Sequence, residues 1–508
     1  MVAAQVAGKC GRSSDSAQPH GQVQREGKQR SVQLWAGVAR AEITDPDAQP
    51  VNDPLYVKAL VLENEFTTIV VVTVDAVAIA EIGSIGNDYL ANVRSELCKR
   101  LDLKPENFLI NASHCHGSVC ADVERRTVRA VEQAWHNLVP VVVGVGTGCE
   151  DRIMENRRLK LKGGREADVR RAYSLAPDEQ VLGVGSVDPQ IGMLRLDRLD
   201  GQPLAVIYNF ACHPIQGVPN GGNTADLVGF ASNAIESSLG EGVSALFLQG
   251  CAGDVNPAGY KDVGQPRNAE FLGNLLGLST VRALRQIHSR ADSRLKVVHE
   301  VLELPMADLS PPIKSLQAEQ ARLLASLRGT TLNLKTFLSL FVKYRLFRDY
   351  PSSDSHRYLH QRALDLDALD QLDEQNTTDL EHYTANIHAM EELTRIQVNL
   401  ELLKRHQTRY AAAAKKTIEA EVLGLRIGEF VLIAFPGELS VQIGLGIKST
   451  SPHRFTFVSG CSNGYLYYAP TAAQLKNRGW AQEDSDCLLA PEWQTAFETQ
   501  VTGILERL

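Results

Sequence analysis

The chain has 508 residues, of which 44% are hydrophobic and 22% charged. This is the composition of a globular protein long enough for two or three domains. The formal net charge of −8 argues against a main function in binding nucleic acid or an anionic membrane, because both need a basic surface. The longest apolar stretches, at 68–74 and 139–146, are too short to span a membrane. We therefore predict no nucleic-acid partner and no transmembrane segment.

The first residues and the cysteines indicate the cellular compartment. Residues 1–33 are polar and lack the apolar segment of a secretory signal, so we interpret them as a disordered tail. The nine cysteines are scattered and odd in number, which is not the pattern of a disulfide framework. Both observations predict a cytoplasmic protein with free thiols.

From residue 34 onward, strand patterns alternate with helical patterns. β-Branched runs bounded by turn-forming residues predict strands, and apolar residues four apart predict amphipathic helices. The predicted strands lie at 36–44, 56–64, 67–79, 107–117, 140–148, 191–198, 203–213 and 245–250, and the predicted helices at 86–104 and 127–138. This alternation predicts an α/β (α+β) fold in which a mixed β-sheet core is layered with helices.

The pattern changes between residues 306 and 415. Strand signals disappear, Gly329 is the only glycine, and Leu, Gln, Glu, Lys and Arg dominate, as is typical of helices. A strand pattern returns at 417–438. We therefore predict one discontinuous core, residues 34–305 and 416–508, interrupted by a helical insertion or cap at 306–415.

Within this insertion, the segment 334–347 places Phe337, Phe341 and Tyr344 on one helical stripe. Such a stripe is typical of a helix packed inside the insertion. A substrate lid or a helix that lies on a membrane surface is the alternative. The sequence therefore leaves a peripheral membrane contact open.

Two motif-like segments are better explained without catalysis. The segment GCSNG (460–464) matches the G-x-S-x-G nucleophile elbow, but no helical pattern follows it and no histidine occurs after His453. Ser462 therefore cannot belong to a catalytic triad of that order. The segment GVGTG (144–148) lacks the third glycine of a dinucleotide-binding fingerprint, and we interpret it as a tightly packed turn.

Four polar segments at the ends of apolar strands contain the candidate site residues. They are INASHCHGS (110–118), NFACHPIQG (209–217), FLQGCAGDVNPAG (247–259) and IAFPGELSVQIG (433–444). An H-x-H sequence on a strand places both imidazoles on the same face. One metal ion or one substrate could therefore contact both His114 and His116.

The other three segments add an imidazole, two carboxylates and an amide. His213 ends the second segment's strand, Asp254 and Asn256 lie in the Gly-rich turns of the third, and Glu438 follows a Pro-Gly turn in the fourth. Taken singly, each is explained as a hydrogen-bonded structural residue. Together they supply the imidazoles and the carboxylate of a catalytic zinc site that leaves one position open for water.

In their order along the chain, these and neighbouring segments resemble the neutral (non-lysosomal) ceramidase superfamily. The segments that carry the resemblance are GVARAEIT, SHCHGS, ENRRL (155–159), NFACHPI, ADLVGFAS (225–232), GCAGDVNP, FPGELS and GCSNGYLYYAPT. They extend over most of residues 34–300 and 417–497. The chain is similar to this superfamily as a divergent member.

The resemblance implies a role for each matching residue. It implies zinc as the cofactor, with the ligands His114, His213 and Glu438. Tyr465 would lie near or on the metal and stabilise an oxyanion. His116 would contact the substrate carbonyl or the zinc-activated water, and Arg157 of the ENRRL segment resembles the family's active-site arginine.

Two departures from the family pattern affect the predicted substrate. Ceramidases carry a serine in the GD-x-SP segment, where this chain has Asn256, so we expect a substrate other than ceramide. The chain ends at Leu508, too soon for the family's carboxy-terminal β-sandwich domain. From both departures we expect an intracellular relative with a more polar substrate.

The sequence therefore predicts a zinc-dependent hydrolase that cleaves an amide (N-acyl) bond of a small molecule, ceramidase-like but not a true ceramidase. His116, Tyr465 and Arg157 would stabilise the oxyanion, Asn256 could hydrogen-bond the substrate, and Glu438 or Asp254 would shuttle the proton. Two alternatives stay open. One is a catalytically inactive homologue that binds a ligand, and the other is a zinc-dependent esterase or lyase acting on a sugar-like substrate. The sequence makes no prediction of oligomeric state.

Overall fold

The computed structural model describes residues 33–169, 175–260, 262 and 264–508. The tail predicted at 1–33 lies outside these residues except for Gln33. Across the described ranges, no helix is both long enough and apolar enough to cross a membrane.

The described residues form strands and α-helices that we number in chain order. The strands are β1 (Leu34–Glu42), β2 (Tyr56–Glu63), β3 (Thr68–Val74), β4 (Phe108–Ala112), β5 (Val139–Cys149), β6 (Met154–Asn156), β7 (Arg158–Leu161), β8 (Glu166–Asp168), β9 (Val181–Val184), β10 (Gln190–Arg198), β11 (Pro203–Phe210), β12 (Ser244–Gln249), β13 (Val255–Pro257), β14 (Leu295–Pro305), β15 (Thr417–Ile427), β16 (Phe430–Ala434), β17 (Glu438–Leu439), β18 (Phe455–Ser459) and β19 (Tyr468–Ala469). The helices are α1 (Tyr89–Leu101), α2 (Val123–His136), α3 (Asp226–Leu239), α4 (Ala269–Leu284), α5 (Ser310–Ser326), α6 (Leu334–Leu346), α7 (Ser355–Ala363), α8 (Ala368–Ala412), α9 (Val441–Thr450), α10 (Gln482–Ser485) and α11 (Trp493–Arg507).

Within the described part of the chain, two large sheets form the core. The first has eight strands in the order β12-β11-β10-β5-β1-β2-β3-β4. Its neighbours are antiparallel except for the parallel pairs β3–β4 and β11–β12. The second has four strands in the order β14-β15-β16-β18, and three small sheets, β8-β7-β9, β13-β6 and β17-β19, lie outside these two.

The two large sheets pack against each other because alternate residues on each contribute apolar side chains to a shared face. Leu60 and Leu62 of β2 belong to the same buried cluster as Leu425 and Ile427 of β15. Helices α1–α4 cover the other face of the eight-stranded sheet, and α9 and α11 pack on the four-stranded sheet. The resulting helix–sheet–sheet–helix layers confirm the predicted mixed α/β core.

The GVGTG segment is part of a strand, so its interpretation as a turn is wrong. Residues 144–148 lie within β5, and their glycines alternate along it. A Cβ at Gly144 or Gly146 would lie 2.6 or 2.7 Å from the side chain of Ile287, which follows α4. The glycines therefore let the end of α4 approach the sheet closely.

Helices α3 and α4 and strand β14 were not among the predicted elements.

Between β14 and β15 the chain forms the four helices α5–α8. These two strands pair antiparallel along their length, so the helical segment leaves and re-enters the four-stranded sheet at neighbouring strands. Helices α5 and α8 share a buried cluster of their own, which includes Leu316, Ile396 and Leu403. We retain the division into a core and a helical insertion as a proposal that these observations support.

Candidate metal centre

His114 lies in the loop that follows β4, and not on the strand as predicted. The strand ends at Ala112, and the backbone N–H of His114 donates to the carbonyl of Ala76 at 2.9 Å. His114 has a φ of 69°, which is unusual for a residue with a side chain and indicates that tertiary contacts hold it there. The H-x-H pair is therefore not presented on one strand face, although the His114 and His116 rings remain 5.8 Å apart.

His213 is also held by the backbone, three residues after β11 ends. Its N–H donates to the Val255 carbonyl oxygen at 3.1 Å, and its Nδ1 lies 3.0 Å from the same oxygen. The Nδ1 of His114 lies 2.6 Å from the carbonyl oxygen of Val77. A backbone carbonyl at Nδ1 orients an imidazole so that Nε2 faces the centre of the site, which is the common arrangement of metal-ligating histidines.

Glu438 completes the cluster from β17, which pairs in parallel with β19. Its Oε2 lies 3.3 Å from Nε2 of His114 and 2.9 Å from Nε2 of His213. Its Oε1 accepts a hydrogen bond from the hydroxyl of Tyr465. One ligand atom from each of His114, His213 and Glu438 lies within 4.8 Å of the others, and all three side chains are buried. Four sequence-predicted residues are thus brought together.

The contacts of His213 indicate that a cation belongs at this cluster. A neutral imidazole carries one N–H and therefore cannot donate both to Val255 and to Glu438. In either tautomer, one of these contacts joins two hydrogen-bond acceptors, and a cation at Nε2 removes the conflict. Two imidazoles and a carboxylate are a ligand set that zinc accepts. The residues present therefore fit a divalent metal ion.

The charges of the site follow from burial and from these contacts. Burial alone would raise the pKa of Glu438, but the imidazoles of His114 and His213 hold this pKa well below its usual range. Burial and the Glu438 charge raise the pKa of Tyr465 well above its usual value, so the phenol keeps its proton. Partial desolvation and the neighbouring His114 lower the pKa of His116 to about 4, although His116 is an exposed residue.

Arg157 lies beside the cluster in a network of buried polar groups. It donates through Nη1 to Oδ1 of Asn256 at 2.9 Å and through Nε to a carboxylate oxygen of Glu483. Its guanidinium carbon lies 5.4 Å from the centre of the Tyr468 ring. Arg157, Tyr468, His116 and His213 line one pocket of about 400 Å³. The structure therefore places the predicted arginine at the same pocket as two of the predicted imidazoles.

Asp254 has structural contacts instead. Its Oδ1 accepts a hydrogen bond from the backbone N–H of Val441, the first residue of α9, at 2.8 Å. Its Oδ2 accepts from the side chain of Gln474 at 3.3 Å. Of the two carboxylates considered for proton transfer, the structure thus brings Glu438 to the imidazoles and uses Asp254 to hold the start of α9.

Sequence reasoning missed Glu483, the partner of Arg157. The adjacent Arg158 donates to both carboxylate oxygens of Asp484, at 2.8 and 2.9 Å. Two consecutive arginines thus face two consecutive carboxylates. An RR sequence and an ED sequence can be recognised in the chain as possible ion-pair partners. Many other basic and acidic residues could pair as well, so only the folded structure shows which of them are partners.

Ser462 has no catalytic surroundings. Its hydroxyl oxygen accepts a hydrogen bond from the side-chain amide of Asn111 at 3.0 Å, and the side chain is buried. The chain after it forms bends and β19, without the helix that a nucleophile elbow requires. The structure therefore agrees with the prediction that Ser462 is not the serine of a nucleophile elbow.

Comparison with known proteins adds a relationship of fold. No family model matches the sequence, and the comparison with curated proteins found no match. Among solved structures, the chain is similar to neutral ceramidase from Pseudomonas aeruginosa, with a TM-score of 0.61 and 16% identity over 94% of this chain and 75% of that chain. It is also similar to a ceramidase complexed with C2, with a TM-score of 0.59 and 16% identity over 94% and 76%.

These similarities support the ceramidase fold for this chain. The low identity agrees with the prediction of a divergent relative, because the likeness lies in the fold and hardly in the sequence. A shared fold does not carry a shared activity. The function has to be argued from the site.

Proposed function

We propose that the protein is a zinc-dependent hydrolase that cleaves the amide (N-acyl) bond of a small molecule. The observation that carries this proposal is the convergence of Nε2 of His114 and Nε2 of His213 on Glu438, in a fold shared with neutral ceramidases. A bound zinc ion would polarise the scissile carbonyl and make water a nucleophile near neutral pH.

The chain's own residues would bind and polarise the substrate carbonyl. Tyr465 keeps its proton, which it donates to Glu438. To stabilise an oxygen on which negative charge develops, this single O–H would turn from Glu438 to that oxygen. His116 lines the pocket and is neutral above its lowered pKa, so its imidazole can supply a second hydrogen bond. Preorganised donors of this kind contribute about 10²–10³ each to the rate.

Arg157 would act as a fixed positive charge at the same pocket. Asn256, Glu483 and the carbonyl of Gly253 occupy its guanidinium, so its position is determined by the protein and not by the substrate. A guanidinium held in this way favours the build-up of negative charge near it at no cost of reorganisation. Asn256 would then serve mainly to orient Arg157, which supports a substrate other than ceramide.

We also propose a cytoplasmic location. The cysteines of the described residues are free, and most of them are buried. Three of them, Cys115, Cys212 and Cys461, lie next to proposed site residues in the chain or in space. A reducing compartment would keep these thiols from oxidation.

The test combines metal analysis with turnover of a panel of N-acyl substrates that includes ceramide. We expect close to one zinc per chain by mass spectrometry, hydrolysis of at least one N-acyl compound, and loss of both metal and activity in His114→Ala. The matched control is His356→Ala, because His356 is an exposed imidazole on α7. Full turnover by protein stripped of metal would contradict the proposal, and so would zinc-loaded protein inactive on the whole panel.

A further inference from the structure

Helix α6 exposes an apolar stripe that nothing in the described chain covers. Leu334, Leu338, Val342 and Leu346 recur at every fourth position and are 61%, 53%, 54% and 69% exposed. Phe347, directly after the helix, is 59% exposed. Single exposed leucines are ordinary on protein surfaces, but a contiguous row of large apolar side chains marks an interaction surface.

The opposite side of α6 explains how the helix is held in place. The ring of Phe337 stacks on Tyr383 of α8 with 4.4 Å between the ring centres, and the Tyr344 hydroxyl donates to Asp373 at 2.8 Å. The predicted aromatic stripe thus packs within the helical segment. Because these contacts fix one side of α6, the apolar stripe stays on the outside.

The same region is strongly basic within an acidic protein. Residues 328–363 contain seven Lys and Arg side chains against two Asp, whereas the whole chain has a net charge of −8. Among the described residues, Lys335, Lys343, Arg345 and Arg348 have no carboxylate partner. These four cations therefore form no ion pair, whereas Arg362 of the same segment pairs with Asp370 of α8.

A groove of about 700 Å³ between α6 and α8 extends this surface. Its lining includes Phe341 and Leu380, the cations Arg345 and Arg348, and the carboxylate of Glu381. The groove thus combines apolar side chains with two cations and one carboxylate. It is large enough to receive part of a lipid acyl chain.

We propose that the outer face of α6 binds the surface of an anionic lipid bilayer. An amphipathic helix with an apolar face and flanking Lys and Arg lies at the boundary of headgroups and acyl chains, where both kinds of side chain find partners. The long side chains of Lys335 and Lys343 can keep their charges at the phosphates while the leucines enter the apolar layer. In a two-fold dimer, the same face of a second copy would cover the stripe, and its Lys and Arg side chains would then face those of the first copy.

The test is sedimentation of the full chain with vesicles of phosphatidylcholine alone or mixed with phosphatidylserine. We expect binding to the mixed vesicles only, weakening as salt is raised because exposed charges are screened. Lys335→Gln combined with Lys343→Gln should weaken binding by about fivefold for each cation removed. Leu338→Gln combined with Val342→Gln should weaken it further, since the apolar contribution is lost.

The matched control is Leu278→Gln on α4, a leucine that is 57% exposed outside this region. Its vesicle binding should equal that of the unchanged chain, and because every substituted side chain is exposed, all variants should keep the same melting temperature. The proposal is overturned if the unchanged chain fails to bind the mixed vesicles, or if the α6 variants bind as well as Leu278→Gln does. It is also overturned if the α6 substitutions abolish self-association and leave vesicle binding intact.

Discussion

The Nε2 atom of His213 lies 2.9 Å from Oε2 of Glu438, although the Nδ1 of the same ring already faces the Val255 carbonyl at 3.0 Å. Burial and the charge of Arg157 lower the pKa of His213 to about 3, so a second ring proton is not available near neutral pH. Without a cation, one of the two contacts is therefore a contact between acceptors.

This conflict predicts that metal removal destabilises the protein. A ligand present at about 100 times its dissociation constant stabilises the native state by about 2.7 kcal/mol, so chelation should lower the melting temperature by several degrees. In Glu438→Gln, the amide can donate to an imidazole but cannot replace the carboxylate as a ligand. We expect this variant to melt at the same temperature with and without chelator, measured by scanning calorimetry. A chelator effect that persists in Glu438→Gln would place the metal elsewhere.

We predict that removing the hydroxyl of Tyr465 slows catalysis without changing metal binding. Tyr465→Phe removes the donor to Glu438 and leaves the ring, so the zinc content should stay unchanged while kcat falls by about 10²–10³. Steady-state kinetics on the best substrate of the N-acyl panel measures the fall. Tyr410→Phe, on α8 and outside the pocket, serves as the control and should keep full activity.

The fold and the metal-binding residues differ in how far the sequence predicts them. Strand β3 is a continuous run of β-branched residues and β2 is a short, mostly apolar run, so composition and length identify both as strands. His114, His213 and Glu438 stand out because metal-ligating residue types occur at the ends of apolar strands. The residue types can be read from the sequence, but the backbone geometry of the loop that holds His114 cannot.

His114 shows why this geometry is not available from the sequence. The local sequence pattern predicts that β4 continues through the H-x-H segment. In the structure, the backbone N–H groups of Ser113 and His114 donate to the carbonyls of Val74 and Ala76, and these hydrogen bonds direct the chain away from the line of β4. These contacts are made by a neighbouring strand end and impose a φ that histidine rarely adopts. In the same way, the net charge of −8 conceals the basic segment 328–363, because an average over the chain contains no information about where charges lie.

The ion pair of Arg157 and Glu483 predicts a large effect on stability. Both side chains are buried, and removing one charge of a buried pair leaves the other uncompensated, at a cost of about 3–5 kcal/mol. We expect Glu483→Gln to lower the free energy of unfolding by this amount in urea denaturation. Asp370→Asn breaks the exposed pair with Arg362 and should cost about 1 kcal/mol or less. Equal effects of the two substitutions would contradict the assigned burial.

We predict that Glu421 on β15, which lies away from the metal centre, makes the stability of the fold depend on pH. Arg94 of α1 donates to both carboxylate oxygens, at 2.8 and 2.6 Å, and Asn463 donates to one of them at 2.6 Å. Burial alone would raise the pKa of Glu421, but Arg94 and His299 lower it to about 2. The folded protein therefore holds the ionised carboxylate more strongly than the unfolded chain does.

Because the folded-state pKa of Glu421 lies below the unfolded value of 4.5, its contribution is complete above pH 4.5 and is lost as the pH falls toward 2. A shift of this size corresponds to about 3 kcal/mol. Glu421→Gln should therefore be less stable than the unchanged chain by about 3 kcal/mol at pH 7, and the two should converge near pH 2 in urea denaturation. Glu429→Gln, whose carboxylate forms an exposed pair with Arg290, is the control and should follow the unchanged chain at every pH. A constant gap between Glu421→Gln and the unchanged chain across this range would show that the lost contacts, and not the ionisation of Glu421, account for the destabilisation.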